Sequence, residues 1–270
     1  MAGLESRLNG LILGGDSEIG KACISGLNSF FPCYLNVTSR RPKNGFKDWI
    51  FFDLSKSKAQ TIDFKFFDFV VICASMTSIQ DCEIQRARCF NVNVVKTKEI
   101  IKSAISKNCF VVFLSSDAVF DGTEAFCEPD SKRHPMSNYG LTKALVEEYI
   151  EENCGQMACV LRLTKVISEN TPFILNWQSQ LNEGKGAKVY AKKLLSPVSI
   201  NKVTKAIARC VVSRQRGIYQ IGGNHELSYL DFAKEELANR GYSDASFIIL
   251  DDDLDKKCEP LHRSLKTVIP

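Results

Sequence analysis

The first 165 residues alternate short apolar runs with amphipathic stretches, and this rhythm limits the possible folds more than any other feature of the chain. The apolar runs fall at residues 10–13, 34–38, 50–52, 69–74, 110–115 and 158–162. Runs so short and so continuously apolar suit strands buried on both faces of a parallel sheet. Helix-like stretches lie between them at residues 19–27, 81–107 and 139–153. Val92, Val94, Val95, Ile100, Ile101, Ala104 and Ile105 mark the apolar faces of the second stretch. Leu141, Leu145, Val146 and Ile150 recur at helical spacing in the third. Strand–helix alternation predicts βαβ units and a doubly wound parallel α/β sheet.

After Arg162 the rhythm changes. Helices are expected at residues 170–183, 201–213 and 228–240, with short strands at 188–191 and 217–221. Ser228 is a good N-cap, with Asp231 three residues on. This organisation predicts a Rossmann domain of residues 1–165 and 196–223. A small C-terminal substrate lobe is expected from residues 166–195 and 224–270.

Composition removes other classes. At 44% hydrophobic and 24% charged over 270 residues, the chain is neither disordered nor a coiled coil and can bury a sizeable core. The net charge of +4, spread evenly along the sequence, argues against a nucleic-acid binder. Eleven cysteines are scattered without a C-x-x-C pair, which suits reduced, buried thiols and a cytoplasmic location better than a disulfide framework. No apolar run reaches the ~18 residues of a membrane helix, and charges close to residues 11–13 do not suit a signal peptide. The cluster Asp251, Asp252, Asp253 and Asp255 reads as a solvated loop. His134, His225 and His262 lack metal-ligand spacing, so no metal site is expected.

The first strand runs into a turn and a helix through Gly14-Gly15-Asp16-Ser17-Glu18-Ile19-Gly20. Gly14 and Gly20 are spaced as the outer glycines of a dinucleotide loop, which lets a pyrophosphate approach the backbone and the positive end of the helix. Ser17 replaces the middle glycine and brings a hydroxyl that can reach phosphate. The second strand ends in Ser39-Arg40-Arg41, and arginine at this position accommodates a 2′-phosphate, favouring NADP over NAD. Asp53, near the end of the third strand, is placed to accept from an adenine amino group. Each of these also reads as ordinary turn or surface chemistry when taken alone.

Further along, Ser115-Ser116-Asp117 puts hydroxyls at the carboxyl end of a buried strand. Tyr139 and Lys143 follow at i, i+4 spacing, on one helix face. A nearby ammonium is expected to lower the tyrosine pKa, making Tyr139 a proton donor or acceptor, with Ser116 orienting a carbonyl. Lys143 is also placed to hold a nicotinamide ribose.

Together these motifs resemble an extended short-chain dehydrogenase/reductase, and within it the dTDP-4-dehydrorhamnose reductase (sugar-nucleotide-binding) family. The resemblance includes Val70-Val71-Ile72-Cys73-Ala74-Ser75-Met76-Thr77, Asn91-Val92-Asn93, Ser115 to Gly122, Leu161-Arg162 and the region 170–197, and reaches about Gly241. It implies catalytic Ser116, Tyr139 and Lys143. It places the cofactor phosphates at Ser17, Glu18 and Ile19, the adenine at Asp53 and Leu54, and the ribose beside Ala74, Ser75 and Met76. Keto-group reduction of a nucleotide-linked sugar is the leading activity it implies. Epimerase or dehydratase chemistry with retained cofactor is an alternative, with Asp117 as a further acid/base. So is a non-catalytic NADP-binding regulatory subunit, since the resemblance extends to one of methionine adenosyltransferase. A homodimer through the helices at 81–107 and 139–153 is implied as well.

The sequence departs from the family pattern at Met76, where an aromatic or His is usual, and at Ala118, where a Tyr is usual. It departs again at Lys165, often a Trp, and at Ile72, often an Asn. Met76, Asp117, Lys165 and Trp177 are therefore the substrate-side candidates beside Ser116. Trp177 reads as lobe packing or as a contact for a nucleotide base.

Overall fold

The computed structural model describes residues 7–41, 49–250 and 261–270. Its strands are β1 (Leu8–Leu13), β2 (Cys33–Ser39), β3 (Trp49–Phe51), β4 (Phe69–Ile72), β5 (Phe110–Ser116), β6 (Ala158–Leu163), β7 (Lys165–Ile167), β8 (Ala187–Tyr190), β9 (Leu194–Leu195), β10 (Pro197–Ser199), β11 (Gly217–Ile221), β12 (Leu227–Ser228) and β13 (Phe247–Leu250). Its helices are α1 (Glu18–Gly26), α2 (Ile79–Ile84), α3 (Arg86–Phe90), α4 (Thr97–Ile105), α5 (Asn138–Asn153), α6 (Pro172–Asn182), α7 (Ile200–Ser213) and α8 (Tyr229–Asn239).

Seven strands form one parallel sheet in the order β11-β6-β5-β4-β1-β2-β3. Strand order reverses between β1 and β4, the switch point where open α/β sheets bind ligands beyond the strands' carboxyl ends. One apolar layer packs Cys23 of α1, Leu27 just after it, and Val203, Ile207 and Val211 of α7 onto one face of the sheet. The other packs Ile100, Ile101 and Ala104 of α4 and Val146 and Ile150 of α5 onto the opposite face. Strands such as Leu11–Leu13 and Val70–Ile72 are buried throughout, which is why they read as unbroken apolar runs.

Serine starts many of the helices. Ser17, Ser78, Ser137, Ser199 and Ser228 each accept from the backbone N–H three residues on, at the starts of α1, α2, α5, α7 and α8. Each cap is worth about 1 kcal/mol. The stretch expected as one helix at 81–107 is broken at Gln85 (φ −110°, ψ 50°) and widens into a π-helical turn at Asn91–Lys96 before α4.

A second, smaller core holds Ile174, Trp177, Ala187, Val189, Leu195, Phe232, Ala233 and Leu237. There β8 pairs with β13 and β9 with β12. Residues 261–270, expected in this lobe, instead run back along the large sheet. Leu265 packs with Val119, Phe120, Cys127 and Ala144, and Val268 bridges Gln220 of β11. The acidic cluster at 251–255 lies outside the described residues. Among the described residues no helix is long and apolar enough to cross a membrane.

Candidate active site

Two cavities open beyond the carboxyl ends of the strands. The smaller, about 290 Å³, lies between the ends of β1, β2 and β4 and is lined by Gly14, Ser17, Ser39, Arg40, Arg41, Asp53, Leu54, Ala74, Ser75 and Met76. Its shape follows from backbone geometry. Gly14 has φ +96°, and a Cβ there would meet the Ala74 nitrogen at 2.7 Å, so β1 can turn this close to the chain after β4 only with glycine.

Ser17 acts differently from expectation. Its Oγ donates to the Gly14 carbonyl (2.8 Å) and accepts from Gly20 N–H (3.0 Å), so the hydroxyl caps α1 rather than pointing into the cavity as a phosphate donor. The first-turn N–H groups of α1, including those of Glu18 and Ile19, have no partner inside the helix. The Ile19 side chain packs on the apolar layer beneath. Glu18 turns toward the lobe, where its Oε1 accepts from Ser168 Oγ (3.0 Å).

At the far end, Ser39 Oγ donates to Asp16 and accepts from Arg41 N–H (2.9 Å). One Asp53 oxygen accepts from Ser55 N–H (2.9 Å) and Ser55 Oγ (2.6 Å), and the hydroxyl bond holds the carboxyl below its usual range. Asn93, buried in the π-helical turn, grips the backbone after β4. Its Oδ1 accepts from Met76 N–H (2.8 Å), and its Nδ2 donates to the Met76 carbonyl (2.9 Å) and to Thr142 Oγ1 (3.2 Å). Such local widening of a helix is frequent at functional sites.

The larger cavity, about 820 Å³, lies between the sheet and the lobe. Ser116, Asp117, Tyr139 and Arg263 line it on the sheet side; Lys165, Phe173, Lys192, Lys193 and Tyr229 line it on the lobe side. Ser116 Oγ donates to Asp117 Oδ1 (2.7 Å) and accepts from Ala118 N–H (3.2 Å). Tyr139 stands in the first turn of α5. The start of that helix is fixed by the Ser137 cap and by Glu83, whose Oε1 accepts from Asn138 N–H (2.7 Å). Gly140 lets α5 approach this closely, since a Cβ there would sit 2.0 Å from the Ala118 carbonyl oxygen.

Lys143, 5% exposed, donates from Nζ to the Leu114 carbonyl (2.9 Å) and lies 5.8 Å from the centre of the Tyr139 ring. Burial pushes its pKa down to about 8. Tyr139 is pushed up, chiefly by burial and then by the Asp117 carboxylate, against the opposing effects of Ser116 and Arg263. The expected lowering by Lys143 is therefore not found, because desolvation outweighs it. A phenol so placed is held protonated.

Beneath the site lies a buried ion pair. Arg162 donates from Nη2 to Glu147 Oε2 (2.8 Å) and from Nη1 to Gln220 Oε1 (3.1 Å), and Ser115 Oγ donates to Glu147 Oε1 (2.5 Å). This network ties α5 to β5, β6 and β11.

The structure thus gathers Ser116, Asp117, Tyr139 and Lys143 at one place and most of the expected cofactor residues at another. Met76 lines the smaller cavity, not the larger. Lys165 lines the larger, its Nζ 4.9 Å from the Phe173 ring centre. Trp177 lines neither of these cavities. It is 3% exposed, stacks edge-on against Phe173 (4.9 Å), and donates from Nε1 to the Lys188 carbonyl (2.9 Å), so its indole is consumed by the lobe core. Sequence reasoning missed Arg263, Lys192, Lys193 and Glu147, none of which carries a local motif, and took Arg162 only as part of the Leu161-Arg162 motif without its buried partner.

Comparison with known proteins gives the chain's family and supports its fold. The chain is 29% identical over 177 residues to a dTDP-4-dehydrorhamnose reductase of Sinorhizobium fredii, covering 62% of this chain and 59% of that one. It is 27% identical over 237 residues to methionine adenosyltransferase 2 subunit beta of Xenopus laevis, covering 83% of this chain and 69% of that one. The crystal structure of a dTDP-4-dehydrorhamnose reductase from Bacillus anthracis in complex with NADP superposes with a TM-score of 0.84 at 16% identity, over 98% of this chain and 91% of that one. The model of the RmlD substrate binding domain matches residues 11–261, and the chain belongs to that family.

Proposed function

We propose that this protein is an NADP-dependent reductase of a keto group on a nucleotide-linked sugar. The observation that carries the reading is the meeting of Ser116 and Tyr139 on the wall of an 820 Å³ cleft, with Lys143 buried one helical turn behind the tyrosine, beside a glycine-turn cavity. That smaller cavity fits a dinucleotide: Gly14 leaves the backbone bare, the start of α1 offers N–H groups, and Arg40 and Arg41 suit a 2′-phosphate. When bound, NADPH supplies the hydride.

The chain's own residues do the rest. Ser116 swings its hydroxyl from Asp117 to the substrate carbonyl and polarises it. Tyr139 gives its proton to the developing alkoxide. Lys143, anchored on Leu114, fixes the ribose side of the cleft. Lys165, Lys192 and Lys193 favour an anionic ligand, as a nucleoside diphosphate sugar is. The sheet domain holds the cofactor, and the lobe at 166–195 with 224–250 covers the sugar. A homodimer through the α3–α5 face would cover the exposed Phe90, Val95 and Leu141.

The test is direct. NADPH should raise the melting temperature, and dTDP-4-dehydrorhamnose or a related keto sugar should consume NADPH absorbance. If no dinucleotide stabilises the protein, the reading fails. The second reading, a non-catalytic subunit, is favoured by the likeness to methionine adenosyltransferase 2 subunit beta over 83% of the chain. Binding of NADPH without turnover of any keto nucleotide sugar would support it.

A further inference from the structure

Arg263 reaches the cleft from the C-terminal segment, far in sequence from β5 and α5. Its backbone is tightly held. Glu226 Oε1 accepts from Arg263 N–H (2.5 Å) and Ser264 N–H (2.8 Å), Ser264 Oγ accepts from Phe126 N–H (2.8 Å), and Leu265 is buried next door. From this anchor the guanidinium meets Asp117, Nη1 to Oδ2 at 3.4 Å, with the two side chains only 17% and 12% exposed.

Asp117 faces two ways. Its other oxygen accepts the Ser116 hydroxyl at 2.7 Å. A hydroxyl has one proton to donate, so a carboxylate that keeps it withholds it from a substrate carbonyl. The groups facing the Tyr139 phenol are Asp117 after β5, the Cys82 thiol on α2, Lys143 on its own helix and Arg263 of the tail. Asp117 and Cys82 hold the proton on the phenol, and Arg263 opposes them.

We infer that Arg263 is a positioning residue of the reaction centre: by pairing with Asp117 on the oxygen that Ser116 does not use, it offsets that carboxylate's charge and so weakens its hold on the serine proton and on the phenol proton. The inference rests on the reading of Ser116 and Tyr139 as the reacting pair. It assigns a role in that chemistry to the last ten residues of the chain.

Nitration by tetranitromethane tests it without any substrate, because the reagent attacks the phenolate and peptide mass spectrometry resolves Tyr139 from the other tyrosines. At fixed mildly alkaline pH, Arg263→Met should slow nitration of Tyr139 about tenfold, the effect of removing one neighbouring positive charge. Asp117→Asn should speed it by a similar factor. The double variant should be slowed less, relative to Asp117→Asn, than Arg263→Met is relative to wild type, because part of the arginine's effect passes through Asp117, and Arg263→Lys should restore most of the wild-type rate. Nitration of Arg263→Met at or above the wild-type rate would overturn the inference, and so would equal slowing in the Asp117→Asn background. Asp117→Asn leaves the tail untouched, so unchanged nitration in that variant overturns it even if Arg263→Met disturbs the fold. A chain that turns over no keto sugar would sink the reductase reading and leave this result standing. Where turnover is measured, Arg263→Met should lower kcat, move the alkaline limb of its pH profile up by about one unit and leave the NADPH KM unchanged.

Discussion

The two cavities are neighbours built on opposite plans. The smaller is made by backbone: a left-handed glycine after β1, the start of α1, and a loop after β4 gripped by Asn93. The larger is made by side chains that converge from β5, α5, β7, the α6 region, the turn before β9 and the C-terminal segment. A backbone-built site tolerates changes of surface side chain but not of turn geometry. A convergent site depends on every support that aims its members. Binding and chemistry are thereby separable, and the comparison can be broken by a variant that damages one cavity and leaves the other intact.

The largest separation is expected from Tyr139→Phe. Loss of a positioned proton donor should reduce kcat by about 10²–10⁴, while NADPH affinity, measured by fluorescence titration, stays within about twofold. Equal activity in the variant would remove Tyr139 from the chemistry. Next comes Arg162→Met. It strips the fully buried Glu147 of its buried guanidinium, leaving the part-exposed Arg133 at 3.3 Å as its remaining cation, and should cost about 3–5 kcal/mol in urea unfolding. The double change Arg162→Met with Glu147→Leu should recover much of that loss, since no charge is then stranded. Recovery of stability without recovery of turnover would show that the pair serves to aim α5 and β5.

The contrast between the cavities also explains what the sequence could convey. Strand and helix order was legible because the central strands of the sheet are buried on both faces and the helices packed on it each turn one apolar stripe to it. Gly14, Tyr139 and Lys143 could be picked out because the spacing that marks them falls within one turn or one helix. Residues 81–107 read as one helix because apolar spacing cannot register the break at Gln85 or the widened turn at Asn91–Lys96. Ser17 looked like a phosphate ligand because a cap and a ligand have the same residue type. Trp177 admitted two roles until Phe173 and the Lys188 carbonyl were seen to occupy both its face and its N–H. Arg263 was out of reach because only the return of the tail along β11 brings it to Asp117.

Lys143 sharpens the comparison by setting stability against function. Its folded pKa near 8 lies below the ordinary 10.5, so between these values the unfolded state binds more protons and stability rises with pH. Below pH 8 the buried charge imposes its whole cost. Lys143→Met should therefore be more stable than wild type near pH 7 by about 3 kcal/mol. That advantage should fade above pH 10, as seen by urea unfolding at the two pH values. Turnover should fall in the same variant. A Met variant less stable at pH 7 would mean that the Leu114 hydrogen bond outweighs the desolvation of the ammonium.

The smallest effect is expected at the rim of the backbone-built cavity. Arg40 is exposed and lines it beside Ser39 and Arg41, opposite the Asp16 carboxylate that Ser39 engages. A solvent-facing arginine contributes to phosphate binding through one screened, charge-assisted contact, and with Arg41 beside it the loss is shared. Arg40→Ala should weaken NADPH by about tenfold, or ~1.4 kcal/mol, while NADH binding barely moves, and the difference should shrink at high salt. An unchanged preference for NADPH over NADH would remove Arg40 from 2′-phosphate recognition. A parallel loss for both dinucleotides would mean instead that Arg40 shapes the β2 turn, making even this rim part of the backbone-built plan.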